Sequence, residues 1–165
     1  MNFLKSKLME RAKLTAFVNL FSLVKLPLLA FITPEYKEIG PNRVVVKVRK
    51  GVRTRNHLNS MYFGALSMGA ELSIATGAIT AIQKTGKRID FIFKDFQAEF
   101  LKRADGHVLF VCDEIDKVTD LVNRAAKTSE RLTEQFEGYA RLEKNPEPIM
   151  KYKLTLSVKN RSERT

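Results

Sequence analysis

From residue 58 to residue 83 the chain carries one charged side chain, Glu71. A carboxylate taken into apolar surroundings without a partner is costly. Glu71 is therefore either paired with a buried arginine or kept there for chemistry. An acid of this kind takes a proton from water, or attacks an electrophilic carbon itself. Gly64 stands seven residues earlier, where the same apolar segment begins. At a helix start the backbone N–H groups lack partners and the dipole end is positive. The Gly64 amide is thus suited to an oxygen on which negative charge develops, and seven residues are about two turns, which returns to nearly the same face. The competing reading makes Gly64 a packing glycine. Asn56 and His57 lie in the preceding loop, either at a site or capping a turn. Tyr62 and Phe63, at the threshold of the segment, either line a substrate site or pack in a core or subunit contact.

Other chemistries find little support. Cys112 is the only cysteine, so an intramolecular disulfide and a thiolate metal cage are excluded, and the residue reads as a small buried hydrophobe. His57 and His107 are fifty positions apart, without the spacing of a zinc motif, so no metal is expected. The net charge of +11 suits a polyanion or a phosphate-bearing ligand. The basic residues are spread along the whole chain and no aromatic–basic motif accompanies them, so no nucleic acid is expected. Arg53, Arg55, Lys84, Lys87 and Arg88 either meet cofactor phosphates or are solvated charge.

The elements that would position these groups follow from periodicity. Leu4, Leu8, Phe17, Phe21, Val24 and Leu28 recur at helical steps and predict an amphipathic helix ending near Pro27. Glu10, Lys25 and Pro27 interrupt the apolar run, which argues against a signal peptide or a membrane span. We read this helix as docked on the domain in preference to lying on a membrane surface, and expect a cytoplasmic protein. Val44, Val46 and Val48 share one face of a strand. The segment 58–83 is apolar all round and punctuated by glycine and alanine, so it reads as a buried helix against which a sheet packs closely. Residues 87–103 form a long strand whose apolar phase switches from odd to even, which predicts a bulge near Lys94 and Asp95. Residues 107–113 make a third strand, Ile115 to Ala125 mark a helix, and alternation around 132–142 and 150–158 gives two more strands. The expected class is α+β, with a five-stranded antiparallel sheet wrapped around a long central helix. An extra helix lies between strands 3 and 4. An N-terminal helical extension covers 1–39, and the domain covers 40–160.

The run Asn56-His57-Leu58-Asn59-Ser60-Met61-Tyr62-Phe63-Gly64-Ala65-Leu66-Ser67-Met68-Gly69-Ala70-Glu71 resembles the signature of phenylacetate-pathway-type hotdog thioesterases. That signature has a loop Asn, then His-Gly-Gly, then an apolar helix with Asp or Glu. The piece Glu99-Phe100-Leu101-Lys102-Arg103-Ala104-Asp105-Gly106 is similar to the family's second strand and turn. Within the resemblance, Asn56 matches the loop Asn, Gly64 the second glycine and oxyanion donor, and Glu71 the catalytic acid. The family histidine falls on Tyr62 and the first glycine on Phe63. The resemblance implies a hotdog fold and a thioesterase acting on acyl-CoA-type substrates. CoA arrives as part of the substrate, and no further cofactor is involved. It also implies a homodimer or dimer of dimers in which one subunit supplies the oxyanion donor and the other the acid. The alternative is a non-catalytic hotdog module that binds an acyl chain or CoA.

Overall fold

The computed structural model describes Met9 and residues 27–162. In chain order the elements are α1 (Pro27–Ile32), β1 (Glu35–Ile39), β2 (Val44–Val48), α2 (Phe63–Thr85), β3 (Ile89–Phe100), β4 (Val108–Cys112), α3 (Ile115–Ala125), β5 (Arg131–Leu142) and β6 (Pro148–Asn160). Six antiparallel strands form one sheet in the order β1-β2-β4-β5-β6-β3. The central helix α2 packs across β2, β4 and β5, and α3 packs against α2 and against β5 and β6.

The sheet has one strand more than the five expected. The extra strand, β1, falls in the segment assigned to the N-terminal extension. Its apolar pattern is too weak to read, because a bulge between Tyr36 and Glu38 breaks the alternation within five residues. The predicted amphipathic helix lies mostly outside the described residues. Among the described residues the helical segment there is Pro27–Ile32, α1. Ile32 and Leu29 of α1 join the core.

The bulge in β3 falls between Phe93 and Phe96, as the phase change predicts. Asp95 Oδ1 accepts the Thr155 N–H at 3.2 Å and so satisfies a donor that the interrupted ladder leaves over. α2 starts at Phe63, five residues later than its apolar pattern suggests. It ends at Gly86, whose φ of +63° is the left-handed cap that glycine favours. By length and composition α2 could cross a membrane, but 67% of its apolar window is buried inside the domain, which makes it the core helix.

Glycine in this helix serves close approach. A Cβ on Gly69 would sit inside the Phe110 ring of β4, and one on Gly77 would lie 2.9 Å from Ile115 Cδ1 of α3. Each glycine costs about 1 kcal/mol relative to alanine in a helix. The fully buried Phe110 offsets one of them, since burying such a side chain is worth roughly 1.5–3 kcal/mol. Facing the sheet, Ser73 Oγ donates to the Ala70 carbonyl at 2.7 Å and lies 2.8 Å from Tyr152 Oη. Tyr152 Oη in turn donates to the Val111 carbonyl at 3.1 Å. Cys112 is buried as expected, and burial pushes its thiol up to about 12.

Candidate active site

The entrance to α2 is built by a loop that holds itself together. Asn56 Oδ1 accepts the N–H groups of Leu58 (2.9 Å) and Ser60 (3.1 Å), and Asn59 takes a φ of +56° beside it. This side-chain-led turn competes with helix over residues 58–62, which is why α2 begins late. Thr54 is the second organiser. Its Oγ1 donates to the Arg49 carbonyl at 2.6 Å and accepts the Gly51 N–H at 2.9 Å, while its own carbonyl accepts the Tyr62 N–H at 2.7 Å. Asn56 therefore has a loop-building role in its contacts. His57 is exposed and makes no hydrogen bond among the described residues.

Tyr62 is the N-cap of α2, with extended backbone and no side-chain cap. The first intrahelical bond runs from the Leu66 N–H to the Tyr62 carbonyl at 3.1 Å, so the amides of Phe63, Gly64 and Ala65 precede the ladder. Gly64 thus offers an unused N–H at the positive end of a 23-residue helix. The Tyr62 ring lies beside it, with Cε1 2.7 Å from where a Gly64 Cβ would stand. Phe63 stacks at a tilt on Phe100, the last residue of β3, with ring centroids 5.7 Å apart. Tyr62 and Phe63 are 55% and 57% exposed, so neither packs in this chain's core.

Glu71 is half-buried and has no ion pair or hydrogen bond among the described residues. The buried-arginine explanation therefore finds no partner here. Burial holds its carboxyl above the usual carboxylate range. In the first two turns of α2 the half-buried residues Gly64, Ser67, Met68 and Glu71 form a strip at helical spacing; residues 72–78 are all buried, and half-buried positions resume at Ile79, Thr80, Ile82 and Thr85. The structure thus brings Gly64 and Glu71 onto one incompletely covered stripe and leaves Asn56 and His57 in the loop before it. On the inner side of the sheet the edge strand β3 is similarly open, with Phe91, Phe93 and Phe96 half-buried against the core. Sequence reasoning missed Phe100, Ser67 and Met68. Their signal was spacing: Ser67 and Met68 stand three and four residues from Gly64.

A cavity of about 790 Å³ opens elsewhere, among β3, β5, β6 and the β4–α3 turn, and includes Glu137, Lys151 and Lys153. Three of its four carboxylates are committed, Glu137 to Lys153, Asp113 to Arg43 and Glu114 to Lys117, and the fourth, Glu99, is exposed on β3. Glu71 on α2 differs from these four in being both half-buried and unpaired among the described residues. Among the described residues no group of three or more His, Cys, Asp or Glu side chains could hold a metal ion.

The architecture matches solved structures at low sequence identity. A protein of unknown function from Chlorobaculum tepidum superposes with a TM-score of 0.75 at 10% identity, covering 90% of this chain and 96% of that one. A thioesterase from Haemophilus influenzae gives 0.62 at 17% identity, over 87% and 90%. A mutant thioesterase enzyme from Staphylococcus aureus gives 0.60 at 15% identity, over 80% and 98%. These likenesses show the fold, a hotdog domain in which the sheet wraps the central helix, and they do not single out the phenylacetate-type branch. No curated protein matches the chain. A family model does match, over residues 15–136, and the chain belongs to that family, described as Domain of unknown function (DUF4442).

Proposed function

We propose that the protein hydrolyses acyl-CoA-type thioesters as a homodimer, with Glu71 as the base or nucleophile and the Gly64 N–H as an oxyanion donor. The observation that carries this reading is the unpaired, half-buried Glu71 on the same open stripe of α2 as the unused amide of Gly64. In the base form of the reaction, the Glu71 carboxylate takes a proton from water as the water oxygen bonds to the thioester carbon. The carbonyl oxygen becomes an oxyanion held by the Gly64 N–H. When the carbonyl re-forms, the C–S bond breaks and the departing thiolate receives the proton from Glu71.

The geometry of one chain favours two subunits. Seven residues of helix span about 10 Å. A base must come within about 3 Å of the water it activates, or reach it through one more water. Gly64 and Glu71 of one α2 are too far apart to serve the same carbonyl closely, whereas the Gly64 of one subunit and the Glu71 of the other can do so. The twelve-residue edge strand β3 offers the pairing surface, since its outer edge has no partner strand among the described residues and Phe91, Phe93 and Phe96 are half-covered. Light scattering at micromolar concentration should return about twice the chain mass, and a monomer there contradicts the composite site.

A second reading, an acyl-binding module without turnover, is favoured by the Tyr62 ring lying against Gly64. A panel of acyl-CoA substrates of increasing chain length, followed by detection of free thiol, separates the two. Catalysis predicts saturable thiol release, and the module predicts saturable binding without it.

A further inference from the structure

We propose that the end of the molecule formed by α1 and the loop over residues 51–60 binds the surface of an anionic lipid bilayer. Val52 and Leu58 enter the interface, and Arg53 and Arg55 meet the lipid phosphates. This surface is distinct from the α2 stripe and does not depend on the thioesterase reading.

Four apolar side chains stand out of this end: Val52 is 82% exposed, Leu58 58%, Leu28 67% and Phe31 51%. Single exposed apolar residues are ordinary. These are joined into one surface by specific contacts. Leu28 and Phe31 are three apart on α1 and share a face. The Arg53 guanidinium lies 5.8 Å from the centre of the Phe31 ring, tying that face to the loop. The loop cannot fold its tips inward, because it is braced along its length. Thr54 Oγ1 and Asn56 Oδ1 fix its two turns, Arg55 bridges to Met61, and Lys50 Nζ donates to the carbonyls of Asn59 (2.6 Å) and Asp105 (3.0 Å). The Arg103 guanidinium also donates to the Leu58 carbonyl.

Charge selects the occupant. Arg53 and Arg55 have no ion pair among the described residues. The nearby carboxylates are neutralised, Asp105 by Arg103 at 2.9 Å and Glu147 by Lys102. The surface is therefore apolar tips interleaved with uncompensated guanidinium groups, on a chain of net charge +11. Binding at a bilayer interface draws on both terms, apolar burial at the headgroup boundary and attraction to anionic lipid. Val52 and Leu58 stand on separate turns with the arginines between them. That spacing suits mobile headgroups better than the fixed, continuous surface of a protein partner. The sequence pointed to membrane contact only through the N-terminal helix, whose last apolar position, Leu28, this surface shares; Phe31 and the loop residues are added by the structure.

The test is co-sedimentation of the full chain with vesicles of phosphatidylcholine alone and with vesicles of equal parts phosphatidylcholine and phosphatidylglycerol. Wild type should pellet with the mixed vesicles, stay in solution with the neutral ones, and be released by added salt. The double variant Arg53→Gln/Arg55→Gln should partition about thirtyfold more weakly. The double variant Val52→Asp/Leu58→Asp should lose about tenfold or more. All four side chains are exposed, so circular dichroism and melting temperature should match wild type in both variants. Equal sedimentation with both vesicle types overturns the proposal. So does wild-type binding by both variants, which would assign the contact to another surface. Loss in the arginine variant with none in the apolar one also overturns it, since that is adsorption by charge without insertion.

Discussion

Glu71→Gln should leave the domain folded and lower thioester turnover by roughly 10²–10⁴-fold, the range for removing a general base. Glutamine keeps the size of the side chain and part of its hydrogen-bonding capacity but neither takes the proton nor attacks carbon. The same substitution has a stability signature that a purely structural Glu71 would not share. Burial raises the folded pKa of the carboxyl. Between its unfolded and folded values the native state then binds more protons than the unfolded chain, and stability falls as pH rises through that window. Removing the group removes this loss. The glutamine variant should therefore melt at or above the wild-type temperature at neutral pH, with the gap closing below the ordinary carboxylate range. A variant that keeps turnover within about threefold of wild type would mark Glu71 as structural.

The second large effect is a contrast between two glycines on the same helix. At Gly69 a Cβ would sit within the ring of Phe110, which is fully buried between α2 and β4 and has nowhere to go. Gly69→Ala should cost about 1–3 kcal/mol through overpacking. For a domain of this size that lowers the melting temperature by roughly 2–4 °C per kcal/mol. Its activity should fall only as the folded fraction falls. At Gly64 the nearest neighbour of a new Cβ is the Tyr62 ring, the side chain of a residue that is itself more than half exposed. Gly64→Val should consequently change the melting temperature little. A branched side chain beside the amide obstructs the approach of the thioester oxygen, and loss of one oxyanion donor costs roughly 10²–10³-fold in kcat. Thermal unfolding and turnover measured on the same preparations decide the matter. A collapse in stability at Gly64 with normal turnover per folded molecule would end its assignment as a donor.

Much of this arrangement is legible before any coordinates. The phase switch that becomes the bulge of β3 and the periodic apolar face of α3 report period-two or period-3.6 burial, which one chain determines locally, and the alternating valines of β2 share the core face although Val45 and Lys47 on the other face are buried too. The isolation of Glu71 is equally local, because it rests on the apolar character of its neighbours. The errors arise where side chains override periodicity. Leu58 and Met61 extend the apolar pattern backwards from α2, yet the Asn56 side chain takes the loop amides and delays the helix. β1 has a bulge in five residues and carries only Tyr36 and Ile39 as apolar positions. The open stripe along α2 lay beyond sequence reading for another reason. Its half-burial depends on which strands the helix covers, and α2 covers β2, β4 and β5 while β3 sits at the sheet edge.

The claim that a half-buried, unpaired carboxylate drives thioester hydrolysis is tested most directly by the pH dependence of kcat/KM for thiol release from an acyl-CoA substrate. The base must be ionised to act. Activity should therefore rise with pH along a single acidic limb, and that limb should lie above the ordinary glutamate range because burial raises the Glu71 carboxyl. Glu71→Gln should abolish the limb together with the activity. Thiol release with its limb at an unshifted carboxylate value and unchanged in Glu71→Gln, or no thiol release at any pH, would contradict the account.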